Sequence, residues 1–351
     1  MDTLTHALSG ALIARATAAK DAPPRSIPRR VAAGFFAAAA PDLDFLLAFV
    51  SPLLYLEQHR GPTHSFILLP LWALALSWAL AKILREPDGK TAGWRALYGV
   101  TALALGAHIA GDWITSFGTM IFAPLSYARY GLGSTFIIDL WFSGIILAGL
   151  AASVFWRATR LPAVAASVVL VGYVGFQAVQ KERALEYARD YARAQGLANV
   201  EFTAYPRAVS PFNWTVYASD ELSHRFAHVN LARKEPLPPA HDFIGRMDAA
   251  FQPRAAAQWE TRPRYGASAA EQALAREAWQ SPALAFMRWF AEKPAFDGLG
   301  QGSTCVWFVD LRFINPGREW VPFQYGACRE SASVPWRAFE RAAGGAPAAL
   351  R

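Results

Sequence analysis

Along these 351 residues the spacing of apolar and polar positions changes once, near residue 180. Before that point apolar positions come in long runs; after it they alternate with polar ones, as in a water-soluble fold. Residues 65–84, SFILLPLWALALSWALAKIL, hold about the twenty apolar positions that a bilayer core requires. Residues 136–156 and 161–179 read the same way. Three other runs are short or interrupted: 3–19 is brief, 31–50 carries PDLD near its middle, and 96–117 carries His108 and Asp112. This pattern predicts an all-α polytopic membrane domain of about five to six helical segments over residues 1–180. A smaller α+β soluble domain over 181–351 follows. In that second part KERALEYARDYARAQG and residues 268–293 predict helices. NVEFTAYP, FNWTVYA, STCVWFVDLRF and WVPFQYGA predict strands.

The charges sharpen the picture. Lys20, Arg25, Arg29 and Arg30 share the loop at 20–30, Lys82, Arg85, Lys90 and Arg95 the loop at 82–95, and Arg157 and Arg160 the connection at 157–160. The alternate loops, 51–64 and 118–135, hold only Arg60 and Arg129. Basic loops stay in the cytoplasm, so this alternation predicts a multi-pass protein of the bacterial inner membrane with residues 181–351 outside the cytoplasm. The net charge of +7 is thereby absorbed as orientation, and no nucleic-acid partner is expected. Asp2 precedes the first apolar run while Arg15 and Lys20 follow it, the reverse of a cleavable leader, so that run reads as a retained helix. Cys305 and Cys328 lack the CxxC spacing of a cysteine metal site; outside the cytoplasm they could pair.

The polar residues inside apolar sequence are the candidate chemistry. HRGPTHS, residues 59–65, brings His59 and His64 together through a Gly-Pro turn, and four of the seven histidines precede residue 110. On the topology above, His6, Asp42, Asp44, His59, His64, His108, Asp112 and Asp139 all fall in the outer half of the membrane. Ionisable groups there are costly and are retained for function by default. His108 and Asp112, four apart, share a helix face. Asp42 and Asp44, two apart, do not; one can ligate while the other orients a histidine. Histidine and carboxylate together suit a divalent metal, zinc first, with manganese or iron compatible. A catalytic zinc takes three protein ligands, so this set fits one or two ions. Asp44 and Asp139 are candidate general bases, and Arg60 either contacts an anionic substrate or anchors its helix at the headgroups. His224, His228 and His241 read as packing or surface histidines.

MDTLTHALSG, PDLD, HRGPTHS and HIAGDWITSFGT occur in that order, and with them the chain resembles the bacterial inner-membrane metal-dependent hydrolase family over about residues 1–180. The region around SPFNWTVY is similar to the extension carried by one branch of that family. More distantly, the order His, Asp, His, HxxxD is similar to zinc-dependent phospholipase C. That likeness implies His6, Asp42 or Asp44, His64, His108 and Asp112 as ligands, with Asp139 a substitute for ligands that have no match. The resemblance implies metal-dependent hydrolase chemistry; the topology places it at the outer face of the membrane, and a site at headgroup depth suggests a small molecule, a lipid or a lipid-linked phosphoester as substrate. Two alternatives belong to other classes: a proton- or ion-coupled transporter, for which the hydropathy shows no inverted repeat, and a non-catalytic membrane scaffold.

Overall fold

The computed structural model describes residues 1–20, 22–84, 93–300, 305–318, 321–341 and 347–350; Arg85 and Lys90 of the expected basic loop lie outside them. The chain forms two compact units, Met1–Val179 and Gln180–Arg351.

The first unit is helical. It holds α1 (Thr3–Ala16), α2 (Ile27–Ala39), α3 (Pro52–Gln58), α4 (Leu69–Ile83), α5 (Trp94–Trp113), α6 (Leu140–Phe155) and the start of α7 (Leu161–Ala194). Asp2 caps α1, its carboxylate accepting the Thr5 N–H at 3.0 Å. Beyond Ala39 the chain tightens into a 3₁₀ run, Ala40–Phe49, with Pro41 near its start. Proline has no N–H to offer the preceding turn, so the change of winding there follows from the residue. α1 and α2 cross at Gly10 and Gly34. A Cβ on Gly10 would stand 2.2 Å from the Gly34 carbonyl oxygen, and one on Gly34 2.4 Å from that of Gly10. No larger residue allows that approach, the small-residue crossing common between membrane helices.

At the far end of α1, arginines hold helix-terminal carbonyls. Arg30 Nε donates to Ala14 O at 3.0 Å, Arg160 Nη1 to Ala18 O at 2.8 Å, Arg15 Nη2 to Arg157 O at 3.0 Å, and Arg29 Nε to Leu84 O at 2.7 Å. The last carbonyls of a helix have no partner within it, and cations satisfy both the hydrogen bonds and the dipole.

The expectation of five or six spans is corrected here. Among the described residues two helices are long and apolar enough to cross a membrane, Ile27–Phe49 and Leu161–Ala194. A third is counted only if Pro52–His64 and Leu69–Ile83, bent by 85°, form one broken span. The reason is length. α4 has 15 residues and α6 has 16, which at 1.5 Å per residue reach roughly 22–24 Å against a hydrocarbon core of about 30 Å. α5 has 20 residues, but Arg95, His108 and Asp112 dilute its apolar content.

The second unit carries two antiparallel-dominated sheets. The first runs β1 (Glu201–Pro206), β2 (Asn213–Ser219), β3 (Ser223–Asn230) and β4 (Gln252–Pro253), with β5 (Trp259–Pro263) also paired to β3. The second comprises β6 (Pro294–Leu299), β7 (Cys305–Asp310), β8 (Gln324–Cys328), β9 (Arg337–Glu340) and β10 (Ala348–Ala349), in the order β10-β9-β8-β7-β6. Helices α8 (Phe243–Ala249), α9 (Ala269–Gln280) and α10 (Ala285–Phe290) accompany them. Trp214, Tyr217, Trp307 and Phe308 are fully buried. Cys305 and Cys328 stand opposite each other on β7 and β8 and form a disulfide. His224 bridges Ser219 Oγ and the Pro294 carbonyl, and His228 meets Thr215 across the β2–β3 ladder.

Candidate metal centre

Four side chains from three segments converge inside the first unit. Asp42 comes from the 3₁₀ run after α2, His64 from a second 3₁₀ turn (Pro62–His64), and His108 and Asp112 from one face of α5. Their ligand-type atoms all lie within 4.8 Å of one another. His64 Nε2 is 3.2 Å from Asp112 Oδ2 and 3.6 Å from Asp42 Oδ1. His108 Nε2 is 3.4 Å and 3.7 Å from the same two oxygens. Ligands held at about 2.0–2.1 Å around a tetrahedral zinc stand roughly 3.3 Å apart, so these separations suit one ion.

The hydrogen bonding makes the case sharper. His64 Nε2, His108 Nε2, Asp112 Oδ2 and Asp42 Oδ2 are buried without a hydrogen-bond partner. Asp42 apart, the outer faces of the cluster are tied down. His108 Nδ1 donates to the Ala38 carbonyl at 2.6 Å, which leaves the Nε2 lone pair facing inward. His64 Nδ1 contacts Thr63 Oγ1 at 2.8 Å. Asp112 Oδ1 accepts from Arg60 Nη2 at 2.8 Å, from His6 Nε2 at 3.0 Å and from the Met1 amine. With His108 in that tautomer, its Nε2 and Asp112 Oδ2 are two acceptors facing each other at 3.4 Å inside the protein. Such an arrangement is unfavourable alone and is resolved by a cation. The donor set, two imidazoles and two carboxylates, fits a divalent metal in charge, and hydrogen bonds support all of it but Asp42. Asp42, with 12% of its side chain exposed, is the one member of the four open to the outside.

The remaining expected residues surround this group in other roles. His6 stacks on His108 with ring centroids 3.7 Å apart and holds Asp112, and its Nδ1 is buried without a partner. Asp44 lies behind the group, accepting from His59 Nδ1 at 3.0 Å and from the Arg60 N–H at 3.1 Å, with its Oδ2 3.7 Å from the outer nitrogen of His64. In a 3₁₀ run with three residues per turn, neighbours two apart point to different sides. His59 is therefore one shell removed, against Asp44, Tyr55 and Phe117. Arg60 is 2% exposed, with a left-handed backbone (φ 60°), and its Nη1 donates to Thr115 Oγ1 at 2.9 Å. Asp139 lies outside the group. It caps α6 through the Phe142 N–H, and Tyr173 and Gln177 of α7 donate to its oxygens.

Several contributors carried no role in the sequence reading. Thr63 and Thr115 lie inside the quoted motifs HRGPTHS and HIAGDWITSFGT but are residues of a common type, and the Met1 amine on Asp112 has no motif of its own. The Ala38 carbonyl has no side-chain signature at all.

The chain belongs to the YdjM inner membrane protein family, whose model matches residues 1–184. It is also 27% identical over 179 residues to the uncharacterized protein YfhP of Bacillus subtilis (strain 168). That alignment covers 49% of this chain and 52% of the relative, so the chain spans about half the length of the curated relative it matches. No solved structure matches.

Proposed function

Taking membership of this inner-membrane family as the premise, we propose that the protein is a metal-dependent hydrolase at the outer face of the membrane, with a lipid or lipid-linked phosphoester as substrate. The observation that carries the reading is the convergence of Asp42, His64, His108 and Asp112, with His64 Nε2, His108 Nε2 and Asp112 Oδ2 buried there without a hydrogen-bond partner. Asp42, His64, His108 and Asp112 hold the ion, zinc being the first choice for two imidazoles and two carboxylates. A metal held by these residues would supply Lewis-acid chemistry.

The chain's own residues do the rest. Arg60 and His6 keep Asp112 Oδ1 occupied, so that only Oδ2 turns inward. Ala38 fixes the tautomer of His108. Substrate approaches on the Asp42 side, the open edge of the group. His59 and Asp44 stand as a paired imidazole and carboxylate that can move a proton near that edge, and their hydrogen bond keeps the ring oriented. A lipid substrate is favoured by an apolar cleft of about 310 Å³, lined by Leu12, Ile13, Phe142, Leu170 and others. It reaches Gly111, where an added Cβ would stand 3.1 Å from His6 Cε1. The disulfide in the second unit supports a position outside the cytoplasm, where such bonds persist.

The test is metal content by elemental mass spectrometry on detergent-purified protein beside the His64→Ala, His108→Ala double variant, followed by hydrolysis assays on phospholipid vesicles. About one zinc, manganese or iron per chain, lost together with phosphoester hydrolysis in the variant, is the expected result. Metal-free protein under replete conditions, with an equally folded variant, would refute the reading.

A further inference from the structure

The first unit has a second cleft, at the other end of α1 from His6. Arg15, Ile27, Val31, Leu150, Val154 and Arg157 line a cavity of about 470 Å³ between α1, α2 and α6. An adjoining cavity of about 690 Å³ shares Arg15, Ile27 and Arg157 and adds Lys20 and Arg160. One part is a groove walled by aliphatic side chains; the other is a bowl with four cations. Among the described residues neither has an acidic side chain in its lining.

The surroundings show where this cleft sits. Val154, Phe155 and Trp156 are exposed by 56%, 82% and 61% immediately before Arg157. Large apolar side chains, a tryptophan and then an arginine in succession mark the passage from hydrocarbon to headgroup depth. Arg15 is buried at the junction of the two cavities and is fixed there by the Arg157 and Thr159 carbonyls. Lys20 and Arg157 are exposed.

We propose that this cleft binds an anionic phospholipid, its phosphate among Arg15, Lys20, Arg157 and Arg160 and one acyl chain in the groove beside Val31 and Leu150. The charge on the bowl and the apolar groove leading from it complement the two ends of such a lipid, and basic pockets between membrane helices recognise headgroups in this way. A zwitterionic lipid would fill the groove equally well but would bring its own cation to the bowl. The site is separate from the metal-binding group and does not rest on the hydrolase reading.

The test uses the full-length protein in detergent, with native mass spectrometry counting bound dioleoyl phosphatidylglycerol against dioleoyl phosphatidylcholine. Each cation beside an anionic headgroup is worth about fivefold in affinity. The Lys20→Gln, Arg157→Gln double variant removes two exposed side chains, and its phosphatidylglycerol affinity should fall about 30-fold with its metal content unchanged. Val31→Trp, which fills the groove and keeps every cation, should lower binding of both lipids. Equal binding of the two lipids by the wild type, or wild-type affinity in the double variant, overturns the proposal. Unchanged binding in Val31→Trp overturns it too, because contact would then be with the headgroup alone.

Discussion

Two buried charged clusters, one in each unit, show opposite ways of keeping charge away from water. In the second unit Asp310 accepts from the Lys293 and Arg312 N–H groups and from Arg312 Nε, while Arg312 also donates to Glu292 and to the Phe290 carbonyl. Each charge there has its partner inside the protein. In the first unit His64, His108 and Asp112 are also enclosed, yet His64 Nε2, His108 Nε2 and Asp112 Oδ2 have no hydrogen-bond partner. Burial is common to both clusters, so burial is not the functional signal. The signal is a converging set of metal-ligand atoms without hydrogen-bond partners, most of whose outer atoms are held. A closed network stabilises a fold; an open one of this kind could hold a cation.

The largest expected effect breaks the comparison on the open side. His64→Ala or His108→Ala should reduce bound metal to background, since three donors from two carboxylates and one imidazole hold a transition metal poorly. Stoichiometric metal in both variants would show that the four do not act as a ligand set. Breaking the closed cluster should act on stability alone. Arg312→Ala leaves Asp310 buried without its cation and should cost about 3–5 kcal/mol in denaturant unfolding, with metal content intact. If metal is lost instead, the two clusters are not independent.

A third measurement sharpens the contrast. At a free metal concentration of 100 times Kd, binding should stabilise the wild type by about 2.7 kcal/mol relative to chelated protein. The His64→Ala, His108→Ala variant should show no difference between the two conditions. Smaller still, Asp44→Ala removes the partner of His59 and of the Arg60 N–H and should weaken metal affinity by about 10- to 100-fold, read by competition with a chelator. An unchanged affinity would make Asp44 a purely local contact.

The last prediction concerns pH and the second unit. Burial, reinforced by the Arg207 charge, lowers His228 to about 3. The neutral ring is therefore the form the fold accepts. Its contribution to stability is complete above the ordinary value near 6.5 and is lost as pH falls toward the folded value, by up to about 1.4 kcal/mol per unit. His228→Phe should flatten the acid limb of a stability–pH curve followed by tryptophan fluorescence. A limb of unchanged slope would assign acid sensitivity to other groups.

Much of the fold was legible because its cause is local. Strands such as Asn213–Ser219 and Cys305–Asp310 follow from alternation and β-branched or aromatic residues, and the change of pattern near residue 180 needs no neighbour to be seen. The number of spans was not legible. An apolar run such as 65–84 does not say where its helix begins, and here Leu69–Ile83 turns by 85° from the segment before it. Ser65 is drawn instead into hydrogen bonds with Ile121 and Ala123 carbonyls, a distant contact that no periodicity encodes.

By itself, then, the sequence determined the inventory: imidazoles and carboxylates set in apolar surroundings, a basic set of loops, and a second part with strand periodicity. These depend on residue type and on spacing within one element. Only the tertiary structure decided the grouping. It turned Asp42 inward and Asp44 toward His59, made Asp139 a cap held by Tyr173 and Gln177, and brought the Ala38 carbonyl to His108. Those outcomes rest on how segments far apart in the chain approach one another. Crossings such as Gly10 against Gly34 set that approach, and a hydrogen bond is made or lost within a few tenths of an ångström, a distance that no one-dimensional pattern carries.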